Sequence, residues 1–130
     1  MSVGARLRLA IVVGGVAGAL ARAALVHLIP PASHGWPWPT FAVNVSGTLL
    51  LGYFATRLGE RLPPSTFRRP LLGTGFCGAL TTFSTLQIEL VRFVHDGRVV
   101  FAATYLAASL GAGLAVVYLA TALTRRVPLR

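Results

Sequence analysis

Gly73-Thr74-Gly75-Phe76-Cys77-Gly78-Ala79-Leu80-Thr81-Thr82-Phe83-Ser84-Thr85 lies inside an apolar run otherwise long enough to cross a membrane. Glycine weakens a helix, and bare backbone in hydrocarbon is costly unless protein or an ion satisfies it. A stretch this polar and this breakable at membrane depth belongs to an ion or solute site more readily than to a lipid-facing helix. Its first six residues also fit the dinucleotide pattern G-x-G-x-x-G, but Pro70 stands where that fingerprint needs a preceding strand. Close packing through small residues remains open for Gly73 and Gly75.

Composition sets the surroundings of that stretch. Of 130 residues, 55% are hydrophobic and 12% are charged, against roughly a quarter charged in a soluble domain. The mean hydropathy is +0.71. This is the composition of a small integral membrane protein in contact with lipid. The net charge of +9 does not point to nucleic acid, because the twelve basic residues are all Arg and mostly flank apolar runs. Cys77 is the single cysteine, so no intrachain disulfide can form.

Four apolar runs are predicted to span: 9–29, 40–57, 71–92 and 99–123. The second is short against the roughly 20 residues that cross hydrocarbon. Arg6 and Arg8 ahead of the first run resemble a signal peptide, but three further runs favour a retained first helix. The connections are short, and Trp36 and Trp38 suit an interfacial level. The chain therefore reads as one four-span domain over 1–130, all-α, with a break in the third span. Nine Arg fall on the side of the termini and the second loop, and two, Arg92 and Arg98, fall opposite. The positive-inside rule then puts both termini in the cytoplasm.

Asn44 shares a helix face with Thr40 and Thr48 in the second span, suited equally to bundle hydrogen bonds and to an ion path. Phe83, Leu86 and Leu90 form a stripe whose ordinary role is packing; an aromatic edge there also suits an anion. Tyr105 and Ser109 lie one turn apart on the fourth span. Gly14, Gly18 and Arg22 share a face of the first span, so Arg22 either snorkels or pins helix ends. Glu89 has Arg92 three residues on as an ion-pair partner. With no paired carboxylates, no Ser/His/Asp set and no Cys/His cluster, an enzyme is not expected.

Three motifs carry a resemblance. Gly78-Ala79-Leu80-Thr81-Thr82-Phe83-Ser84-Thr85, Val43-Asn44-Val45-Ser46-Gly47 and Gly14-Gly15-x-x-Gly18-Ala19-x-x-Arg22 resemble the third-, second- and first-helix motifs of the CrcB or Fluc fluoride channels. The resemblance covers essentially the whole chain. It implies an antiparallel dimer in a bacterial cell membrane, conferring fluoride resistance by passive export. It implies a central structural sodium ion on the carbonyls of Gly78 and Thr81 from both subunits. It implies a fluoride pore at Asn44 and Phe83, with Ser84, Thr85, Tyr105 and Ser109 as polar neighbours. Arg22 and Glu89 would stand at a vestibule or helix end.

Ala79 stands where the family motif has a second Gly, a conservative change, and two further features depart from the pattern. Leu86 stands where the family usually has a second Phe, so the subunit offers half of an aromatic pair. The strong Arg bias also favours one orientation, whereas an antiparallel homodimer needs two. Together they point to a homologous, oppositely oriented partner rather than a second copy. The competing readings are a small four-helix multidrug or solute transporter and a non-conducting partner subunit. The first is expected to carry an acid in the first span, where this chain has Arg22.

Overall fold

The computed structural model describes residues 1–33, 35–61 and 67–127. Helix α1 runs Val3–Leu28, α2 runs Trp38–Thr56, α4 runs Phe83–His95 and α5 runs Val99–Arg126. Between α2 and α4 lie a π-helical segment, Pro70–Cys77, and the single turn α3, Gly78–Leu80. The described residues form an all-α, multi-pass membrane fold in which the third span is interrupted.

Helix α1 starts ahead of its apolar run because the Ser2 hydroxyl accepts the Ala5 N–H at 3.3 Å and caps it. Pro39 in the first turn of α2 removes a donor that would have no helical partner there. Gly97, with φ 73°, makes the tight turn from α4 to α5. At the same end Trp36 packs edge-on against Tyr105 (5.1 Å) and Phe101 (5.9 Å), and Arg98 stacks over Phe101 at 4.0 Å. At the other end the Arg125 guanidinium makes a two-pronged bond to Glu60, at 2.6 and 2.8 Å.

Among the described helices, α1 and α5 are by themselves long and apolar enough to cross a membrane. The second and third predicted spans are not. Helix α2 has 19 residues, among them Asn44, Ser46 and Thr48, and the third span is divided at Thr81–Thr82. The two polar segments sit between the two apolar ones; Asn44, Ser46, Thr48, Thr81 and Thr82 are half-buried there, while Ser84 and Thr85 are exposed on the subunit. Val12, Val16 and Leu20 on α1 and Leu110, Leu114 and Tyr118 on α5 face outward. Apolar side chains facing outward are what a lipid solvent requires.

The packing of α1 on the third span is backbone against backbone. A Cβ on Gly14 would strike the Leu71 carbonyl, and one on Gly18 the Phe76 carbonyl. From the other side, a Cβ on Gly75 would lie 2.6 Å from the Ile11 oxygen. Small residues here let two main chains touch, the usual device for holding helices together in lipid.

Candidate ion pathway at the broken third span

The first half of the third span is wound loosely. The Gly78 N–H points to the carbonyls of Gly73 and Gly75, so the turn before the break is wider than an α-turn. Thr81 N–H still reaches the Cys77 carbonyl at 3.1 Å, and the Thr81 hydroxyl donates to that same oxygen at 3.0 Å. Then the helix stops. Thr81 (φ −78°, ψ 157°) and Thr82 (φ −143°, ψ 120°) are extended.

Buried backbone groups released by such a break need partners, and two other spans supply them. Asn44 Nδ2 donates to the Thr82 carbonyl at 3.0 Å, and Asn44 Oδ1 accepts the Thr82 N–H at 2.7 Å. Arg22 Nη1 donates to the Thr81 carbonyl at 3.2 Å. The face Gly14, Gly18, Arg22 thus runs from backbone contact into a hydrogen bond on the break itself. The Thr82 hydroxyl restarts the chain as α4 by accepting the Thr85 N–H at 3.3 Å, and it lies 3.0 Å from the Thr85 hydroxyl. The start of α4 presents a partial positive charge beside the break without an ionised side chain.

Around the break lie two cavities. One, of about 300 Å³, is lined by Asn44, Thr48, Gly78, Thr81, Phe83 and Leu86, among others. The second, of about 520 Å³, is lined by Arg22, Thr40, Ser84, Thr85 and Glu89 with apolar neighbours. Thr82 borders both. Asn44 and Phe83 thus border the first cavity and Arg22, Ser84, Thr85 and Glu89 the second, while Tyr105 and Ser109 line neither of the two.

The side chains of the Phe83–Leu90 stripe differ in exposure. The Phe83 ring is 69% exposed, whereas Leu86 is 6% exposed and packs inside the subunit. Tyr105 is fully buried, and its hydroxyl donates to Glu89 Oε2 at 2.8 Å. The Ser109 hydroxyl is buried one turn further along α5. Glu89 takes a second bond at Oε1 from the Thr40 hydroxyl, at 2.6 Å. Its hydrogen bonds thus run to α2 and α5 rather than to Arg92. Spacing along one helix cannot disclose a partner on another, so this three-span network was not legible in the sequence.

The oxygens suit a hard cation. Among the described residues no three His, Cys, Asp or Glu side chains converge as metal ligands, which leaves main-chain and hydroxyl oxygens. Thr82 N–H, the partner that a continuous helix would give the Gly78 carbonyl, is committed to Asn44. Gly78 is exposed, and a Cβ added to it meets nothing within 4 Å. The Thr81 carbonyl accepts from Arg22 and has a second lone pair to offer. Carbonyl oxygens of this kind are the ligands alkali and alkaline-earth ions prefer.

Fold and site together define a multi-pass α-helical membrane protein built round an interrupted span whose break is held by polar side chains of two other spans. A family model described as CrcB-like protein, Camphor Resistance (CrcB), matches residues 9–121. The chain is 57% identical over 121 residues to the fluoride-specific ion channel FluC 1 of Mycobacterium tuberculosis (strain CDC 1551 / Oshkosh), covering 93% of this chain and 92% of that one. Identity and coverage are the same against FluC 1 of Mycobacterium bovis: 57%, 93% and 92%. A more distant relative, the fluoride-specific ion channel FluC of Chlorobaculum tepidum, is 39% identical over 112 residues, covering 86% and 89%. The chain belongs to the CrcB/Fluc family of fluoride channels, a family of channels and not of enzymes.

Proposed function

We propose that this chain forms a fluoride-selective channel that lets cytoplasmic fluoride leave a bacterial cell passively. The observation that carries the reading is the break at Thr81–Thr82, tied to Asn44 and open to two cavities that polar groups help line, in a chain of this family. Fluoride is small and strongly hydrated, so a path must replace water with donors. The amide of Asn44, the hydroxyls of Ser84 and Thr85 and the edge of the exposed Phe83 ring supply donors and positive edges without trapping the ion. Tyr105, buried behind the lining, acts on the path through its hydrogen bond to Glu89, with Ser109 buried one turn further along the fourth span, and Arg22 and Glu89 stand at the vestibule. A negative cell interior drives the anion outward, so no nucleotide is needed.

The working unit in this reading is an antiparallel dimer with both termini of this chain in the cytoplasm. A sodium ion on the Gly78 and Thr81 carbonyls of both subunits, when bound, supplies a fixed positive charge joining them. The nine-to-two division of Arg about the membrane supports a single orientation. Leu86 is buried within the subunit and brings no aromatic edge. Both favour a homologous partner over a second copy.

The test is fluoride flux from liposomes holding the chain alone or with a candidate homologue. Flux is expected with the partner, strongly reduced by Phe83→Ile, and with chloride far slower than fluoride. Equal chloride flux removes the selectivity. Full flux from the chain alone, with termini mapped to both faces, removes the separate partner.

A further inference from the structure

Asn44 is placed above as a donor to fluoride, yet its carboxamide is engaged at both ends by one backbone residue. In an unbroken helix the Thr82 N–H would close on the Gly78 carbonyl. Here it donates to Asn44 Oδ1 at 2.7 Å, while Asn44 Nδ2 donates to the Thr82 carbonyl at 3.0 Å. One side chain thus stands in for two main-chain partners, in the way an adjacent strand would, and Thr82 has the extended dihedrals to match.

We infer that Asn44 is the positioning residue of the cation site: by holding the Thr82 N–H it keeps the Gly78 carbonyl free for an ion. The inference rests on the sodium reading above. Three observations carry it. The bond is short, and it belongs to a side chain from a different span. The neighbouring carbonyl of Thr81 is held separately by Arg22, so Asn44 acts on Gly78 and Thr82 alone. Gly47, one turn after Asn44's neighbour Val43, lets α2 approach closely, since a Cβ there would strike the Thr81 methyl. The α2 backbone is therefore fixed against the break, and Asn44 has little freedom to turn elsewhere. With the amide gone, the Thr82 N–H loses its acceptor, and the main-chain acceptor that a continuous helix would give it is the Gly78 oxygen.

Arg22 has a different part. Its guanidinium donates to a carbonyl that keeps a second lone pair, so it orients the Thr81 oxygen without consuming it. Asn44 instead decides whether the Gly78 oxygen is available at all.

The experiment measures thermal unfolding of the purified, lipid-reconstituted channel across a sodium titration, with N-methyl-D-glucamine as the replacing cation. The parent, Asn44→Val and Asn44→Asp are compared. The sodium dependence is the reading, because a general loss of packing lowers the midpoint at every sodium concentration. Asn44→Val is expected to need at least tenfold more sodium for the same shift. Asn44→Asp keeps an acceptor for the Thr82 N–H and is expected to stay within about threefold of the parent. If Asn44→Val does not assemble, Asn44→Ser, too short to reach both Thr82 groups, carries the same expectation. A parent with no sodium response overturns the sodium reading and this inference with it. A parent that responds, with Asn44→Val or Asn44→Ser responding equally, overturns the positioning role alone, as does an equal loss in Asn44→Asp.

Discussion

The two halves of the third span are held by different physics. From Pro70 to Leu80 the chain lies against α1 through glycine, with main-chain atoms in contact. From Phe83 to His95 it is an amphipathic helix fastened by hydrogen bonds that the Thr40 and Tyr105 hydroxyls donate to Glu89. The first half depends on the absence of side chains and the second on their presence. A continuous helix would have to satisfy both demands with one face; the interruption lets each half meet its own neighbours. The polar joint at Thr81–Thr82 is the place where the two modes of packing meet.

The largest expected effect comes from adding a side chain to the first half. Gly18→Val places atoms on the Phe76 carbonyl, which cannot move without displacing the span. We expect a loss of at least about 3 kcal/mol, or no folded protein, in thermal unfolding. Next is the second half. Glu89→Leu strands the hydroxyls of Thr40 and Tyr105, at a cost of about 2–3 kcal/mol, and Glu89→Gln recovers most of it by restoring an acceptor. A full loss in Glu89→Gln would show that charge, not hydrogen bonding, fastens this half.

Phe83→Ile separates stability from function. Its ring is 69% exposed on the subunit, so the unfolding free energy of the subunit is expected to change by less than about 0.5 kcal/mol. Fluoride flux is expected to fall at least tenfold. The smallest effect is Gly15→Ala, one residue from Gly14 yet with nothing within 4 Å of the added Cβ. It is expected to be neutral within about 0.5 kcal/mol. A destabilisation equal to that of Gly18→Val would show that the cost of a side chain on α1 does not come from contact with the third span, since Ala favours a helix over Gly.

Much of this was legible in the sequence because local chemistry announces it. Glycine and threonine together in an apolar run mark a helix that cannot stay closed; they suggest a break between Gly78 and Thr81, whereas Gly78–Leu80 stays helical, Thr81 N–H still reaching Cys77, and the chain opens at Thr81–Thr82. The shared face of Gly14, Gly18 and Arg22 was read from helical period, and all three meet the third span. The π-helical winding of Pro70–Cys77 was not legible, since hydropathy carries no record of how wide a turn is. The partners of Glu89 were missed because i, i+3 spacing suggests Arg92, whereas burial beside Thr40 and Tyr105 decides the matter. Nor did the stripe of Phe83 and Leu86 foretell that one would be exposed and the other enclosed.

The glycine seam between α1 and Pro70–Cys77 is a joint suited to lipid. In water, glycine taxes a helix because the disordered chain has so many alternatives to lose. In hydrocarbon an isolated span has to stay helical before it meets any neighbour, since its amides have nowhere else to bond. The tax then largely lapses. What would be a weak point in a soluble bundle becomes, at Gly14, Gly18 and Gly75, close contact at little entropic cost.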